Sequence, residues 1–361
     1  MLASVLAVMK DPGGIQAVMP VVEILRQLGM KVLLVANGKA AEVLPGQEEG
    51  VMIYNTSEEA LERINPFPDL LITSICTGGG IGRDLVPLVR QRHPQAKVVA
   101  IQDSWSGGLF KEWNDLRYRP DFIFVNDDVG ANLVKKAWPD FDSDRIKTLG
   151  YALLDQYASI DQVAIQKSAR KKLGLSGDKP VILYCGQTVA SGQTLYELIQ
   201  SINDIQHHCY LMPRQHPRMA TDAAPIETEY WHKAEYTATY PLLISSTICT
   251  ATEAIVASDL VTGMFSTMLM EAACLQKPVV SIMYPELGQS WFETISSGRE
   301  TKYPLESLGA CSTTRNPKQL RKVLEVFFRD GTLHQELAQK NAFRLDGKNA
   351  ERIAEFVYSL V

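Results

Sequence analysis

The chain has 361 residues, of which 46% are hydrophobic and 21% are charged, a composition typical of a globular protein with room for two hydrophobic cores. Its formal net charge of -5 argues against neutralisation of a phosphate backbone, so nucleic acid is not an expected partner. The six cysteines stand singly, mostly within apolar runs, which predicts reduced core residues and a cytoplasmic protein. No apolar run approaches the roughly 20 residues of a transmembrane helix, and the first run indicates a strand rather than a signal peptide.

The first half of the sequence alternates apolar β-rich runs with helical patterns. Strands are predicted at residues 2–8, 31–36, 69–75, 97–102 and 121–125. Helices are predicted between several of them, at residues 15–28, 84–91 and 130–138. Glycines occur where the first strands pass into helices, which is typical of parallel βαβ units. The pattern therefore predicts a doubly wound parallel sheet.

A polar helical stretch that begins near residues 148–155 is interpreted as a linker, after which the alternation resumes. Further strands are predicted at residues 180–185, 209–213, 242–245, 260–262 and 278–283. Residues 219–240 fit either a long loop or a surface helix. The expected fold class is α/β, with two Rossmann-like parallel-sheet domains facing across a cleft. Their expected bounds are 1–155 and 156–345, and a C-terminal helix at 346–361 is expected to return to the first domain.

In open parallel sheets ligands bind beyond the carboxyl ends of the strands, so the loops after the strands are the candidate sites. In the first half, Asp11, Gly13 and Gly14 form a loop whose bare backbone suits an anion at a helix start or, equally, a tight turn. It lacks the G-x-G-x-x-G fingerprint of dinucleotide sites. A second loop contains Gly78, Gly79 and Gly80 and is followed by Arg83; it suits a phosphate or sugar hydroxyls, or it is a mobile connector.

One carboxylate of the first half follows a predicted strand directly. Asp103 stands after the strand at 97–102 among small residues and a tryptophan. A carboxylate in this position serves as a general base when its surroundings tune its pKa. The alternative is that Asp103 caps the start of a helix.

The most specific constellation lies in the second half. Arg214 and His216 follow a predicted strand, so that a guanidinium and an imidazole stand where a phosphate would lie, unless both are merely solvated. Ser266 and Thr267 precede a helix that carries Glu271, and their hydroxyls either bind an anion or cap that helix. The glycine-bearing loop with Gly186 and Gln187 is a further candidate. No cluster of His, Cys or Asp has the spacing of metal ligands, so neither a metal nor a cofactor is predicted.

Several segments resemble the GT-B superfamily of glycosyltransferases and non-hydrolysing UDP-sugar 2-epimerases. Residues 257–282, ASDLVTGMFSTMLMEAACLQKPVVSI, look like the donor-site segment of that superfamily, and residues 148–155, TLGYALLD, look like its interdomain crossing. DPGG near the start and PVILYCGQ at 180–187 fit the same layout. The resemblance implies a nucleotide-activated donor in the second domain and an acceptor in the first.

The QHPR segment and the Ser266–Thr267 pair are similar to the His-Pro and paired-hydroxyl motifs of bacterial sialyltransferases, Kdo transferases and CDP-glycerol polymerases. This resemblance implies that His216, Ser266 and Thr267 contact the donor phosphate and that Glu271 holds the ribose. The acidic-acidic-glycine motif of the sialyltransferases is missing, so Asp103 is a base by position only. Residues 263–271 depart from the Ser-Gly-Gly turn of the epimerases.

The leading hypothesis is a metal-independent glycosyltransferase-like enzyme. It would use a CMP-, CDP- or UDP-linked donor as co-substrate and a glycan, lipid or small metabolite as acceptor, with the oligomeric state left open. An enzymatic alternative is a nucleotide-sugar 2-epimerase or a hydrolase on the same fold. A third hypothesis is a binding protein that has kept the fold without catalysis.

Overall fold

The computed structural model describes residues 3–46, 48–75, 78–103, 105, 111–175, 179–216, 219, 225–240, 248–296 and 298–361. The chain divides into two compact units. Unit 1 consists of Met1–Ala158, Ile295–Arg299 and Arg344–Val361, and unit 2 consists of Ser159–Thr294 and Glu300–Phe343.

Unit 1 is built on a parallel sheet with the strand order β3-β2-β1-β4-β5-β6-β7. The strands are β1 (Ser4–Met9), β2 (Lys31–Ala36), β3 (Met52–Ile53), β4 (Leu70–Ile75), β5 (Lys97–Gln102), β6 (Phe122–Val125) and β7 (Ile146–Thr148). The helices are α1 (Pro12–Gln27), α2 (Ala40–Val43), α3 (Ser57–Arg63), α4 (Ile81–Arg92), α5 (Asp128–Ala137) and, from the end of the chain, a helix at Asn349–Tyr358. Short 3-10 turns lie at Leu44–Gly46, Lys111–Trp113, Leu116–Tyr118, Ser143–Arg145 and Ala152–Tyr157.

The central strands of unit 1 are buried, as expected for parallel strands with helices on both faces. Leu6 and Val8 of β1 pack in one hydrophobic cluster with Leu85 and Val89 of α4. The strand order reverses between β1 and β4, because β2 and β3 lie on one side of β1 and all later strands lie on the other. Ligand crevices form at such reversals.

The helix at Asn349–Tyr358 is fixed to unit 1 by one carboxylate. Asp155 accepts hydrogen bonds from the backbone N–H of Asn349 at 2.9 Å and of Ala350 at 2.7 Å, and from the Asn349 side-chain amide at 2.7 Å. The ring of Phe356 meets those of Phe122 and Phe124 edge-on, with centroids 5.3 Å apart in both pairs. Asp155, at the end of the TLGYALLD segment, therefore holds the last helix beside β6.

Unit 2 contains a second parallel sheet with the order β12-β11-β10-β8-β9. Its strands are β8 (Val181–Cys185), β9 (Tyr210–Arg214), β10 (Leu260–Gly263), β11 (Val279–Ile282) and β12 (Ser312–Thr314). Its helices are α6 (Gln162–Lys172), α7 (Ser191–Ile205), α8 (Pro225–Thr237), α9 (Ala251–Ala257), α10 (Thr267–Cys274), α11 (Ser290–Ile295), α12 (Pro304–Ser307), α13 (Pro317–Asp330) and α14 (Glu336–Ala342), with a π-helical turn at Pro285–Gln289; the helix at Asn349–Tyr358 is α15. The cysteines that the structure describes are buried thiols, as predicted.

Most predicted elements are present, and the differences have physical causes. The strands at 31–36 and 97–102 have the predicted bounds. The short strands β7 and β12 were not predicted, because three residues carry too little pattern. Residues 219–240, which the sequence left open, include α8, and the strand predicted at 242–245 lies outside the described residues.

Helices α7 and α8 cross at a glycine. A Cβ atom on Gly192 would lie 2.6 Å from the carbonyl oxygen of Glu227, 2.6 Å from the backbone nitrogen of Trp231 and 2.7 Å from the Cβ of Tyr230. Real Cβ atoms do not approach other atoms this closely, so only glycine permits this contact. The backbone of α8 therefore rests directly on the first turn of α7.

We expect Gly192→Ala to destabilise unit 2, because the added methyl group meets rigid backbone rather than a movable side chain. Overpacking of this kind costs about 1–3 kcal/mol, which lowers Tm by roughly 3–10 °C in a unit of this size. Calorimetric unfolding measures the shift. Gly46→Ala is the matched control, because nothing lies within 4 Å of its Cβ position. Equal Tm values for the two variants would contradict the close crossing of α7 and α8.

Candidate functional site

The carboxyl edge of the sheet in unit 1 gathers the candidate residues of the first half. Lys10 and Asp11 follow β1, the glycines at 78–80 follow β4, and Asp103 follows β5. These three strands are neighbours in the order β1-β4-β5 and include the reversal at β1 and β4. The structure thus brings the acceptor-side loops predicted from the sequence to one edge.

The DPGG segment is the first turn of α1 rather than a turn before it. Asp11 is the N-cap residue, and its Oδ1 accepts the N–H of Gly14 at 2.8 Å. Pro12 at the first helical position has its φ preset for a helix, which explains why the helix begins earlier than the sequence pattern predicts. A Cβ on Gly14 would lie 2.3 Å from Ser74 Oγ. Gly14 is therefore required for close packing, and neither Gly13 nor Gly14 has a positive φ.

Asp103 lies against this first turn. Its Oδ2 is 3.0 Å from the position of a Cβ on Gly13, and Asp11 Oδ1 is 3.6 Å from the same point. The predicted base and the DPGG segment, which are about ninety residues apart in the chain, therefore meet at the start of α1. Of the loop that follows Asp103, the structure describes Trp105, whose indole N–H donates to Asp127 Oδ2 at 2.6 Å. Burial raises the pKa of Asp127, whereas the hydrogen bonds that it accepts from the backbone of Gly130 and from the Trp105 side chain lower it.

Two basic side chains, those of Lys10 and Arg83, pack against the loop of Gly78, Gly79 and Gly80. All three glycines have positive φ, of 74°, 64° and 139°. Lys10 Nζ is 3.2 Å from the Cβ position of Gly78, and Lys10 Cδ is 2.9 Å from that of Gly80. The guanidinium carbon of Arg83 is 2.4 Å from the Cβ position of Gly79. Side chains at these three positions would displace Lys10 or Arg83. The absence of a Cβ therefore leaves the space that these two basic side chains occupy. The sequence pointed to Arg83 but missed Lys10, whose signal was its place directly after β1.

The carboxyl edge of unit 2 gathers the candidates of the second half. Its strand order reverses between β8 and β10, and the register aligns Gly263, Cys185 and Arg214 across the ends of β10, β8 and β9. His216 follows β9, and Ser266 and Thr267 follow β10. Of the His-Pro motif, Pro217 and Arg218 lie outside the described residues.

The loop after β8 is closed by hydrogen bonds within unit 2. The N–H of Gly186 donates to the carbonyl of Arg214 at 2.9 Å, and the N–H of Gln187 donates to Ser191 Oγ at 3.0 Å. These two backbone donors are therefore already used. If the loop binds a ligand, as the sequence predicts, the half-buried side chain of Gln187 remains to contact it.

A residue that the sequence did not single out occupies the start of α7. Glu227 of α8, 8% exposed, accepts hydrogen bonds from the backbone N–H groups of Ala190 and, at 3.0 Å, of Gly192. The partial positive charge of a helix start stabilises a carboxylate there. The available signal was the spacing of Glu227, Trp231 and Ala234, which places all three on one buried face of α8. The anion position of α7 is thus filled by the protein itself.

Arg214 and Glu271 act on the same buried thiol. Burial raises the pKa of Cys185, the negative charge of Glu271 raises it further, and the positive charge of Arg214 lowers it. Arg214 Nη1 also donates to the carbonyl of Cys249 at 3.0 Å. Glu271 is only 5% exposed, so it offers little surface to a ribose in this conformation. The assignment of Glu271 to a ribose stays a prediction.

Ser266 caps helix α10. Its Oγ accepts the N–H of Met268 at 3.3 Å, which confirms the capping interpretation for this hydroxyl. Thr267, in the first helical turn, is exposed. Of the pair, Thr267 is therefore the hydroxyl available at the surface, while Ser266 is buried beneath it.

Within the described part of the chain, no group of three His, Cys, Asp or Glu side chains is arranged to hold a metal ion. Over the same residues, no helix is long and apolar enough to cross a membrane.

Comparison with known proteins gives a family and a fold. Residues 97–359 match the family model described as CDP-Glycerol:Poly(glycerophosphate) glycerophosphotransferase. No curated protein matches the chain. A UDP-GlcNAc 2-epimerase from Neisseria meningitidis, bound to UDP-GlcNAc, is 13% identical with a TM-score of 0.69, over 99% of this chain and 100% of that one.

Two further solved structures are similar over nearly the whole chain. MnaA of S. aureus, in a co-structure with UDP, is 14% identical with a TM-score of 0.67, over 100% of this chain and 98% of that one. The wall teichoic acid polymerase TagF, as an asparagine-for-histidine variant soaked with CDPG, is 12% identical with a TM-score of 0.59, over 99% and 88% of the two chains. The predicted GT-B class of two parallel-sheet α/β domains is confirmed.

We expect Glu227→Gln to destabilise unit 2 by about 1–3 kcal/mol, because the variant places an NH₂ group against a backbone N–H donor and removes the charge that stabilises α7. Denaturation by urea measures this loss. Glu229→Gln, an exposed change on the same helix, is the control and should stay within about 0.5 kcal/mol of wild type. A stable Glu227→Gln variant would show that the start of α7 does not need the carboxylate.

Proposed function

The chain belongs to the CDP-glycerol:poly(glycerophosphate) glycerophosphotransferase family, and on that premise we propose that it transfers a glycerophosphate or similar phospho-polyol group from a CDP-linked donor to an acceptor hydroxyl. It is a transferase that uses a nucleotide-activated donor on a GT-B fold. The observation that carries the finer proposal is the gathering of Arg214, His216 and Thr267 at the carboxyl edge of three adjacent strands in unit 2.

The donor diphosphate is assigned to this edge because Arg214 carries a positive charge there and His216 and Thr267 can donate hydrogen bonds. The acceptor oxygen attacks the phosphorus that bears the polyol, the bond from that phosphorus to the bridging oxygen breaks, and CMP leaves with the bonding electrons. Arg214 and His216 donate hydrogen bonds to the leaving phosphate and offset its growing charge. We propose that these side chains, rather than a metal cofactor, supply the positive charge.

Asp103 of unit 1 is proposed as the base that takes the proton of the acceptor hydroxyl. Its carboxylate is held at the start of α1 against Gly13, in the loop after β5. A positioned carboxylate that accepts a proton in the transition state accelerates such a reaction about 10²–10⁴-fold. The singly placed buried thiols suit a reducing compartment, and we place the reaction in the cytoplasm.

We expect His216→Asn to lower kcat/KM for the CDP-linked donor about 10–100-fold, the value of one charge-assisted hydrogen bond. The assay measures CMP release with CDP-glycerol and an acceptor polyol. His208→Asn, an exposed histidine before β9, is the control and should leave the rate unchanged. Formation of an epimeric nucleotide sugar from a UDP-sugar without acceptor would instead support an epimerase.

Asp103→Asn is expected to lower kcat about 10²–10⁴-fold while the Kd for the CDP-linked donor stays the same, because the proton is transferred to Asp103 only in the chemical step. Single-turnover CMP release and calorimetric donor binding separate the two quantities. Asp144→Asn, on an exposed turn of unit 1, serves as the control. An unchanged kcat in the Asp103 variant would remove Asp103 from the mechanism.

A further inference from the structure

Ala190, the residue that precedes α7, has a backbone conformation that alanine rarely adopts. Its φ is 50° and its ψ is 15°, which is the left-handed region. In this region the Cβ of an L-residue crowds a backbone carbonyl oxygen. A residue other than glycine stays there only where the surrounding structure holds it. The contacts of Ala190 therefore show what the loop before α7 depends on.

Both backbone polar groups of Ala190 are held by hydrogen bonds. Its carbonyl accepts the N–H of Thr194 at 3.0 Å and the Thr194 hydroxyl at 2.6 Å, both from the first turn of α7. Its N–H donates to the carboxylate of Glu227 in α8, which also accepts the N–H of Gly192 at 3.0 Å. Thr194 belongs to the same helix start, whereas Glu227 lies 37 residues away from Ala190 in the chain. Glu227 is thus a tertiary support for the left-handed conformation.

The next residue, Ser191, carries the loop that joins β8 to α7. Its Oγ accepts the N–H of Gln187 at 3.0 Å, and its carbonyl accepts the hydroxyl of Tyr184 at 2.6 Å. Ser191 is fully buried, so its hydroxyl serves the loop. The direction of the Ser191 side chain depends on the dihedral angles of Ala190, because one planar peptide bond joins the two residues. A change in the conformation of Ala190 would therefore move Ser191 Oγ away from the backbone of Gln187.

The same loop is fixed at its other end to β9. The N–H of Gly186 donates to the carbonyl of Arg214 at 2.9 Å. A Cβ on Gly186 would lie 2.9 Å from Ser191 Oγ and 3.2 Å from the ring of Trp231, so the loop packs closely on α7 and α8. The backbone N–H groups of Gly186 and Gln187 are both used. The half-buried amide side chain of Gln187 remains for contact with a ligand.

We propose that Glu227 is a positioning residue of the donor site. By holding Ala190 in the left-handed conformation, it fixes the loop that presents the Gln187 side chain to the donor. The role rests on the proposed function, which assigns the donor to the carboxyl edge of unit 2. Glu227 itself does not touch the donor, because its buried carboxylate is already bonded to two backbone N–H groups.

The test compares the steady-state kinetics of CMP release from CDP-glycerol, with an acceptor polyol, for the wild type and Glu227→Gln, each referred to its folded fraction. We expect Glu227→Gln to raise the KM for CDP-glycerol about tenfold, the value of one hydrogen bond to a charged group. The kcat should stay the same, because the contact is lost equally in the ground state and in the transition state. Glu229→Gln, an exposed change on α8, is the control. A wild-type KM in Glu227→Gln overturns the proposal.

Ala190→Gly separates positioning from general support of the fold. Glycine adopts a positive φ without crowding by a Cβ, so adding Ala190→Gly to Glu227→Gln should return the donor KM to within about threefold of the wild type. Alone, Ala190→Gly should leave the KM unchanged, because Glu227 still holds the conformation. If the double variant keeps the full KM increase of Glu227→Gln, the route through Ala190 is wrong.

Ser191→Ala keeps the proposal testable if Glu227→Gln does not fold. It removes the hydroxyl that accepts the N–H of Gln187 and leaves Glu227 in place. It should raise the donor KM severalfold without a change in kcat. Ser201→Ala, which alters another buried serine of α7, is the matched control and should keep the wild-type KM. Equal donor KM values for the two serine variants contradict the assigned role of the loop.

Calorimetric binding of CDP-glycerol separates this proposal from the proposed function. If CDP-glycerol binds with a Kd that depends on Glu227 but no CMP is released, the transferase proposal fails and the positioning role stands. If CMP is released and Glu227→Gln has the donor KM of the wild type, the positioning role fails and the transferase proposal stands. A wild-type protein that does not bind CDP-glycerol overturns both.

Discussion

Close packing against glycines at the carboxyl edges of the two parallel sheets is a constraint that both candidate sites share. A Cβ on Gly263 would lie 2.6 Å from the carbonyl oxygen of Cys185, and a Cβ on Gly14 would lie 2.3 Å from Ser74 Oγ. Parallel strands return through crossovers that collect their carboxyl ends on one edge, and at that edge helices start directly above strand backbone. Glycines make this close packing possible at the end of β10 and at the start of α1.

The second determinant is how each helix start near these edges is neutralised. Asp11 accepts the N–H of Gly14 at the start of α1, Asp127 accepts that of Gly130 at α5, and Glu227 fills the start of α7. At each of these helix starts a carboxylate of the protein itself takes up part of the positive charge. Helix α4 differs, because it begins at Gly80 without a side-chain cap, and the side chains of Lys10 and Arg83 lie beside its first residues.

The fold could be predicted where a strand consists mainly of one uninterrupted apolar run. Residues 32–36 and 98–101 are continuous apolar runs, and the strands that contain them have the predicted bounds. Strand β7 is only three residues long and owes its place to pairing with β6, which no local pattern contains. Helix α8 was left open because its buried face includes Glu227, a residue whose burial depends on the N–H groups of α7. Local propensity fails where a tertiary contact decides the outcome.

The same distinction applies to the sites. The rule that ligands bind beyond strand ends selected Asp103, Arg214 and His216 without any structure, because strand ends can be read from apolar runs. It could not show that Asp103 Oδ2 lies 3.0 Å from the Cβ position of Gly13, since that distance depends on the register of β1, β4 and β5. Nor could it show that glycines 78–80 leave room for Lys10 and Arg83. The positive φ of these glycines and the packing of the two side chains against them are properties of the folded chain that a run of glycines in the sequence does not specify.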